Sequence, residues 1–195
     1  KIHQPSRDTL IIQMHSKEYR SKLLFAANPT APRLHLTTSS PENPAEPPMF
    51  CMLLRKHLQG GRIASVEQKE SERIIEISVD TVNELGFTVN KKLIAEIMGK
   101  HSNIILVDLT TGKIIDSIKR VSIDINRYRQ LLPGLLYVYP PSQNKLNAYE
   151  LTEETFCAAL ADKEPLGPKA LMNAICGVSP TFATEVCHRA TSGRD

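Results

Sequence analysis

The residues able to do chemistry in this chain are cations, hydroxyls and a few carboxylates, gathered in short runs. Gly99-Lys100-His101-Ser102 is a tight turn carrying an ammonium, an imidazole and a hydroxyl. That set can hold a phosphate, or Ser102 can simply close a hairpin. Lys119, Arg120, Arg127 and Arg129 interleave with Tyr128. Cations beside an aromatic ring suit the phosphates and unstacked bases of single-stranded or looped RNA, and a solvated face is the competing use. Gly177-Val178-Ser179-Pro180 turns the chain into a helix: Ser179 caps it and Pro180 takes the first helical position. The amides of such a turn and helix start can face a nucleic-acid phosphate, though many helical hairpins use the same residues only to turn. Glu72-Arg73 stands before an apolar strand and, as a bare pair, reads as solvated charge. Arg55, Lys56 and His57 end a helix, where its dipole favours cations.

Several classes of chemistry are missing. There is no Ser-His-Asp order, no phosphate-cradling Walker loop and no pair of carboxylates in a glycine-rich setting. Cys51, Cys157, Cys176 and Cys187 show neither a C-x-x-C motif nor a disulfide framework, which fits free thiols in a reducing cytoplasm. Cys176, Cys187 and His188 have a spacing that suits no common zinc module, so neither metal nor cofactor is expected. The net charge of +3 is too small by itself to announce a nucleic-acid binder. No run approaches the roughly 18 apolar residues of a membrane span.

The elements that must position these residues follow from periodicity. Thr9–Asn28 holds two apolar runs around a charged KEYR turn, a β-hairpin pattern, and 33–37 is a further strand. Residues 38–48 hold four prolines and form a loop. Pro47-Pro48 suits the first turn of a helix through MFCMLLRKHL, with Met49, Leu53 and Leu54 on one face and Phe50 and Leu58 beside it, Met49 and Met52 as core filler, and Arg55 and Lys56 pointing away. Gly60-Gly61 ends it. Strands follow at 62–68, 73–80, KKLIAEIM, NIILVD and KIIDSIKRV, and their alternation predicts half-buried antiparallel strands in a sandwich or barrel. After an irregular stretch to Leu146, three helical patterns close the chain. The reading is an α+β fold with a β-rich domain over 1–146 and a helical region over 147–195. KIHQP opens as a strand already under way and ATSGRD stops just after a helical pattern, so an excised fragment is expected.

EPPMFCMLLRKHLQGGRI at 46–63, EIMGKHSNIIL at 96–106, IDSIKRV at 115–121, LPG at 132–134, YPPSQNK at 139–145 and GVSPTFATE at 177–185 together resemble the N-terminal domain of the fibronectin-binding-protein-A-like, or NFACT, family. The resemblance implies a β-rich domain similar to the N-terminal domain of formamidopyrimidine-DNA glycosylases, followed by a helix-hairpin-helix region. The family's bacterial members of RqcH type are ribosome-associated quality-control factors. They bind the large ribosomal subunit carrying a stalled nascent chain and bring alanyl-tRNA to it for template-free alanine tailing. Relatives carry Asp-Arg where this chain has Glu72-Arg73, a pair implicated in tRNA engagement. Glutamate keeps the charge but adds a methylene, which displaces the carboxylate by about a bond length against hydrogen-bond tolerances of a few tenths of an ångström. Arg73 retains its capacity to pair with phosphate or stack on a base.

The functional expectation is a non-catalytic, RNA-binding, cytoplasmic module with tRNA and the large ribosomal subunit as partners. Its candidate contacts are Glu72, Arg73, Lys100, His101, Lys119, Arg120, Arg127, Arg129 and Ser179. One alternative is a surface adhesin for fibronectin, suggested by the family's name. The other is a glycosylase-like enzyme, disfavoured because the Lys-Ile-His start offers no proline amine with a neighbouring glutamate.

Overall fold

A computed structural model describes every residue of the chain except Ser142, Gln143, Asp162, Glu164, Arg194 and Asp195. The described residues form an α+β fold with two antiparallel sheets and four α-helices. They divide into two compact units: residues 1–67 with 74–139, and residues 68–73 with 140–195.

In the first unit, one sheet runs in the order β1 (Ile2–Ser6), β2 (Thr9–His15), β3 (Arg20–Ala26), β4 (Arg33–Thr37). The predicted hairpin is β2–β3, in register from Thr9 opposite Ala26 to His15 opposite Arg20. Ser16 closes it, its Oγ accepting from the Tyr19 amide at 3.1 Å. The other sheet is a meander of β5 (Arg62–Gln68), β6 (Ile74–Val82), β7 (Thr88–Glu96), β8 (Asn103–Asp108) and β9 (Ile114–Ser117).

Leu10 and Phe25 of the first sheet meet Ile77, Leu93, Ile104 and Leu106 of the second across Leu54 and Leu58 of α1 (Met49–Leu58). Each such side chain, fully removed from water, stabilises the fold by about 1.5–3 kcal/mol. The second sheet is covered on its other face too. Ile74, Ile94, Ile105 and Val107 pack there against Leu131, Val121 and Tyr137 from the irregular stretch after β9. The strands expected to be half-buried are therefore buried on both faces at their centre, and Glu76 is only 7% exposed.

Helix α1 begins one residue after Pro48, which has no N–H to donate, and ends before Gly60, whose φ of +83° is left-handed. Its buried face is Phe50, Cys51, Leu54 and Leu58. Met49 and Met52 are exposed, against the expectation that they fill the core. Arg55, expected to point away, turns back so that its Nε donates to the Ile2 carbonyl at 2.9 Å.

In the second unit, α2 (Glu153–Leu160) starts with a reciprocal cap between Thr152 and Thr155. Then follow α3 (Pro168–Ala174) and α4 (Pro180–Ala190). Leu171, Ala174, Ile175 and Ala183 form their common core, with Phe156, Leu160 and Val186 against it. Leu146 ties the start of this region to the end of α3, its amide donating to Ala174 O and its carbonyl accepting from the Cys176 amide, both at 2.8 Å.

Candidate nucleic-acid interface

Between β5 and β6 the chain makes a tight turn over residues 69–73, with Glu70 in the left-handed region at φ +49°. The turn is closed by the Glu72 amide donating to Lys69 O at 2.9 Å and by Gln68 Nε2 donating to Glu72 O at 2.8 Å. Far from these residues in sequence, the helical region holds the turn from the other side. Ser71 Oγ is hydrogen-bonded to Asn147 Oδ1. Cys176 Sγ donates to Glu72 Oε1 at 3.5 Å and lies 3.7 Å from Ser71 O. Gly177, at φ +77°, makes the approach possible: a Cβ there would sit 3.3 Å from Ser71 O. Burial pushes the Cys176 thiol pKa up, and the neighbouring Glu72 charge pushes it further, so the sulfur keeps its proton and acts as donor.

Glu72 and Arg73 therefore share one unit with Cys176, Gly177 and Ser179. Ser179 is the N-cap of α4, its Oγ accepting from the Phe182 amide at 3.2 Å. Arg73 is exposed, and the described residues give its guanidinium no partner. Glu72 is half-buried, with one oxygen engaged by Cys176.

The remaining candidates lie in the first unit and divide sharply. Lys100 and His101 are exposed on a 3-10 turn at Gly99–His101. Ser102 below them is buried, its Oγ accepting from the Met98 amide at 2.8 Å, so that this hydroxyl closes the turn. Arg127 is exposed and Tyr128 is 94% exposed.

Lys119 and Arg129 do not sit where the sequence reading put them. The Lys119 amine is drawn inward to donate to Ala27 O and Ser102 O, and desolvation lowers its pKa. Arg129 is nearly buried, its guanidinium forked onto the fully buried carboxylate of Glu96, with one branch at 2.9 Å. Burial works against that charge, but the hydrogen bond and charge of Glu96 outweigh it and hold the pKa above its usual value. Both side chains thus aim donors at the fold's own acceptors, Ala27 O and Ser102 O for Lys119 and the Glu96 carboxylate for Arg129. Arg120 is intermediate. It grips the buried Asp116 through Nε at 3.0 Å and a terminal nitrogen at 2.9 Å, yet over half of its side chain stays in water.

Sequence reasoning missed the partners of these cations. Glu96 also accepts from Tyr137 Oη at 2.8 Å, and Arg129 stacks 5.1 Å from the Tyr137 ring centroid. Beside it, Glu76 accepts from Lys92 at 2.6 Å and from the Tyr139 hydroxyl. Burial and then Glu76 push the Tyr139 pKa up to about 12. The available signal was an acidic residue set between apolar neighbours, as in Ile75-Glu76-Ile77 and Ala95-Glu96-Ile97. Among the described residues no group of three or more His, Cys, Asp or Glu side chains is placed to hold a metal ion.

The family model described as NFACT N-terminal and middle domains matches residues 1–195. The chain belongs to the NFACT family. It is 44% identical over 190 residues to the Rqc2 homolog RqcH of Bacillus subtilis, covering 97% of this chain and 33% of that protein. It is 43% identical to RqcH of Streptococcus pneumoniae, with 95% and 34% covered. The archaeal Rqc2 homolog of Methanocaldococcus jannaschii is 28% identical over 185 residues, with 93% and 26% covered. The chain thus spans about a third of the length of the bacterial relatives it matches. Among solved structures, the N-terminal domain of the fibronectin-binding protein PavA from Streptococcus pneumoniae superposes with a TM-score of 0.90 at 42% identity, covering 98% of this chain and 71% of that one. The fibrinogen-binding protein from Staphylococcus aureus gives 0.84 at 36% identity, with 97% and 66% covered. No helix among the described residues is long and apolar enough to cross a membrane.

Proposed function

We propose that this chain is a non-catalytic, RNA-facing part of a cytoplasmic ribosome quality-control factor, contacting tRNA and the large ribosomal subunit. The observation that carries the reading is the turn of Glu72 and Arg73, pinned through Asn147 and Cys176 yet leaving Arg73 exposed and unpaired among the described residues. A preorganised loop presenting a free guanidinium loses little freedom on binding, and a guanidinium can fork onto a phosphate or stack on a base. Membership of a family whose bacterial relatives are Rqc2 homologs supports the assignment. Exposed Lys100, His101, Arg127 and Tyr128 are secondary contacts of the type that binds looped RNA. In this reading α3, the Gly177 turn and α4 act as a helix-hairpin-helix, which follows along the chain a β-rich domain of the kind found in formamidopyrimidine-DNA glycosylases.

The test uses the full-length protein. Arg73→Ala should weaken retention of tRNA by about tenfold or more, since hydrogen bonds to a charged group contribute roughly 1.5–3 kcal/mol. It should also reduce the salt slope of binding by about 0.7–0.9 for each phosphate that Arg73 neutralises. Wild-type protein that neither retains tRNA at low salt nor co-sediments with large subunits ends the proposal. A second reading, a surface adhesin, is favoured only by the fibronectin- and fibrinogen-binding names of the structural neighbours. Surface biotinylation of intact cells separates the two, with no labelling expected.

A further inference from the structure

We infer that Cys176 is a positioning residue for Glu72: its thiol takes up one carboxylate oxygen, so that the other is presented in a fixed direction to a hydrogen-bond donor on an unpaired RNA base. The inference rests on the RNA-facing reading above and assigns a role to a residue that the reading does not need. A glutamate at a half-exposed turn has three side-chain torsions and, left to itself, sweeps its carboxylate across several ångströms. Here both ends of that freedom are removed. The Glu72 backbone is tied at N–H by Lys69 O and at C=O by Gln68, and its Oε1 is tied by Cys176 Sγ at 3.5 Å. The described residues give Oε2 no partner.

Cys176 is itself immobilised. Its amide donates to Leu146 O at 2.8 Å, its sulfur also approaches Ser71 O at 3.7 Å, and Gly177 beside it lets the two backbones meet. The sulfur is long-bonded and bulky, so it spans a gap that a serine hydroxyl closes only by moving. The pKa of the thiol is raised, which keeps it protonated and donating at neutral pH. Engaging one oxygen matters for recognition. A carboxylate held at Oε1 turns Oε2 in one direction, where it can accept from an amino group on a base edge.

The experiment is a double-mutant cycle in the full-length protein, read as retention of total tRNA at low salt, with thermal melting as the folding control. Cys176→Ala should weaken tRNA retention about 2- to 10-fold, the range of one net hydrogen bond. Cys176→Ser, which keeps a donor, should recover part of the loss and also covers the case in which Cys176→Ala melts early. In a Glu72→Ala background, Cys176→Ala should have no further effect, because no carboxylate remains to be held. Wild-type retention by Cys176→Ala, or the same loss with and without Glu72, overturns the inference. If Arg73→Ala and Glu72→Ala both bind tRNA like wild type, the parent reading falls instead. If those two weaken binding while the cycle is flat, only the role of Cys176 falls.

Discussion

Replacing Arg129 by leucine removes one half of an ion pair whose other half has nowhere to go. The Glu96 side chain is 0% exposed and that of Arg129 is 10% exposed, so the carboxylate would be left in the interior with, among the described residues, the Tyr137 hydroxyl as its remaining side-chain donor. Breaking a buried pair by removing one partner costs about 3–5 kcal/mol. Against a total stability of roughly 5–15 kcal/mol, that is a large fraction. With a urea m-value of about 1–3 kcal/mol/M, the midpoint should fall by more than about 1 M. Arg127→Ala, two residues away but exposed, should stay within about 0.5 kcal/mol of wild type. The joint replacement Glu96→Leu with Arg129→Leu should recover most of the loss, because it removes the stranded charge as well. Urea unfolding followed by far-ultraviolet circular dichroism measures all three. A loss under about 1 kcal/mol for Arg129→Leu would show that water reaches Glu96 and would refute the placement of this pair as internal clamp.

Other expectations concern the helical unit and the acid limb of stability. Gly177→Ala should destabilise by about 1–2 kcal/mol in thermal melting, since an L-residue is strained at φ +77° and its Cβ meets Ser71 O at 3.3 Å. Ser179→Ala should cost about 1 kcal/mol by losing the cap on the Phe182 amide, read as earlier melting of helical signal. Burial works against the Asp108 charge, but hydrogen bonds from Lys91 and from the amides of Thr111 and Thr110 win and lower its pKa. A depressed carboxyl contributes stability that is present above its unfolded value near 3.9 and is lost as pH falls through the folded value. Asp108→Asn should therefore destabilise at neutral pH and flatten the decline seen below about pH 4, as measured by urea midpoints across pH.

Local signals in the chain were legible wherever the physics is local. Ser179 before Pro180 and Gly60 after a helical run each marked a helix end, because capping depends on neighbours within a few residues. The β2–β3 hairpin was legible for the same reason. What was hidden depends on contacts between distant residues. The docking of residues 68–73 with 140–195 joins Glu72 to Cys176 across 104 positions, and no periodicity carries that information. Arg129 and Arg127 are alike in sequence, and only the irregular stretch folding over the second sheet puts one inside and leaves the other in water. Met49 and Met52 looked like core because they are apolar and helical, but the face that packs is set by Phe50, Leu54 and Leu58.

The most direct test is sequencing of RNA crosslinked in cells to the full-length protein, beside its Arg73→Glu variant. The account predicts reads concentrated in tRNA and in the RNA of the large ribosomal subunit, with the tRNA reads falling sharply in the variant. Recovery no higher than in an uncrosslinked control, or tRNA reads unchanged by reversing the charge at Arg73, would contradict it.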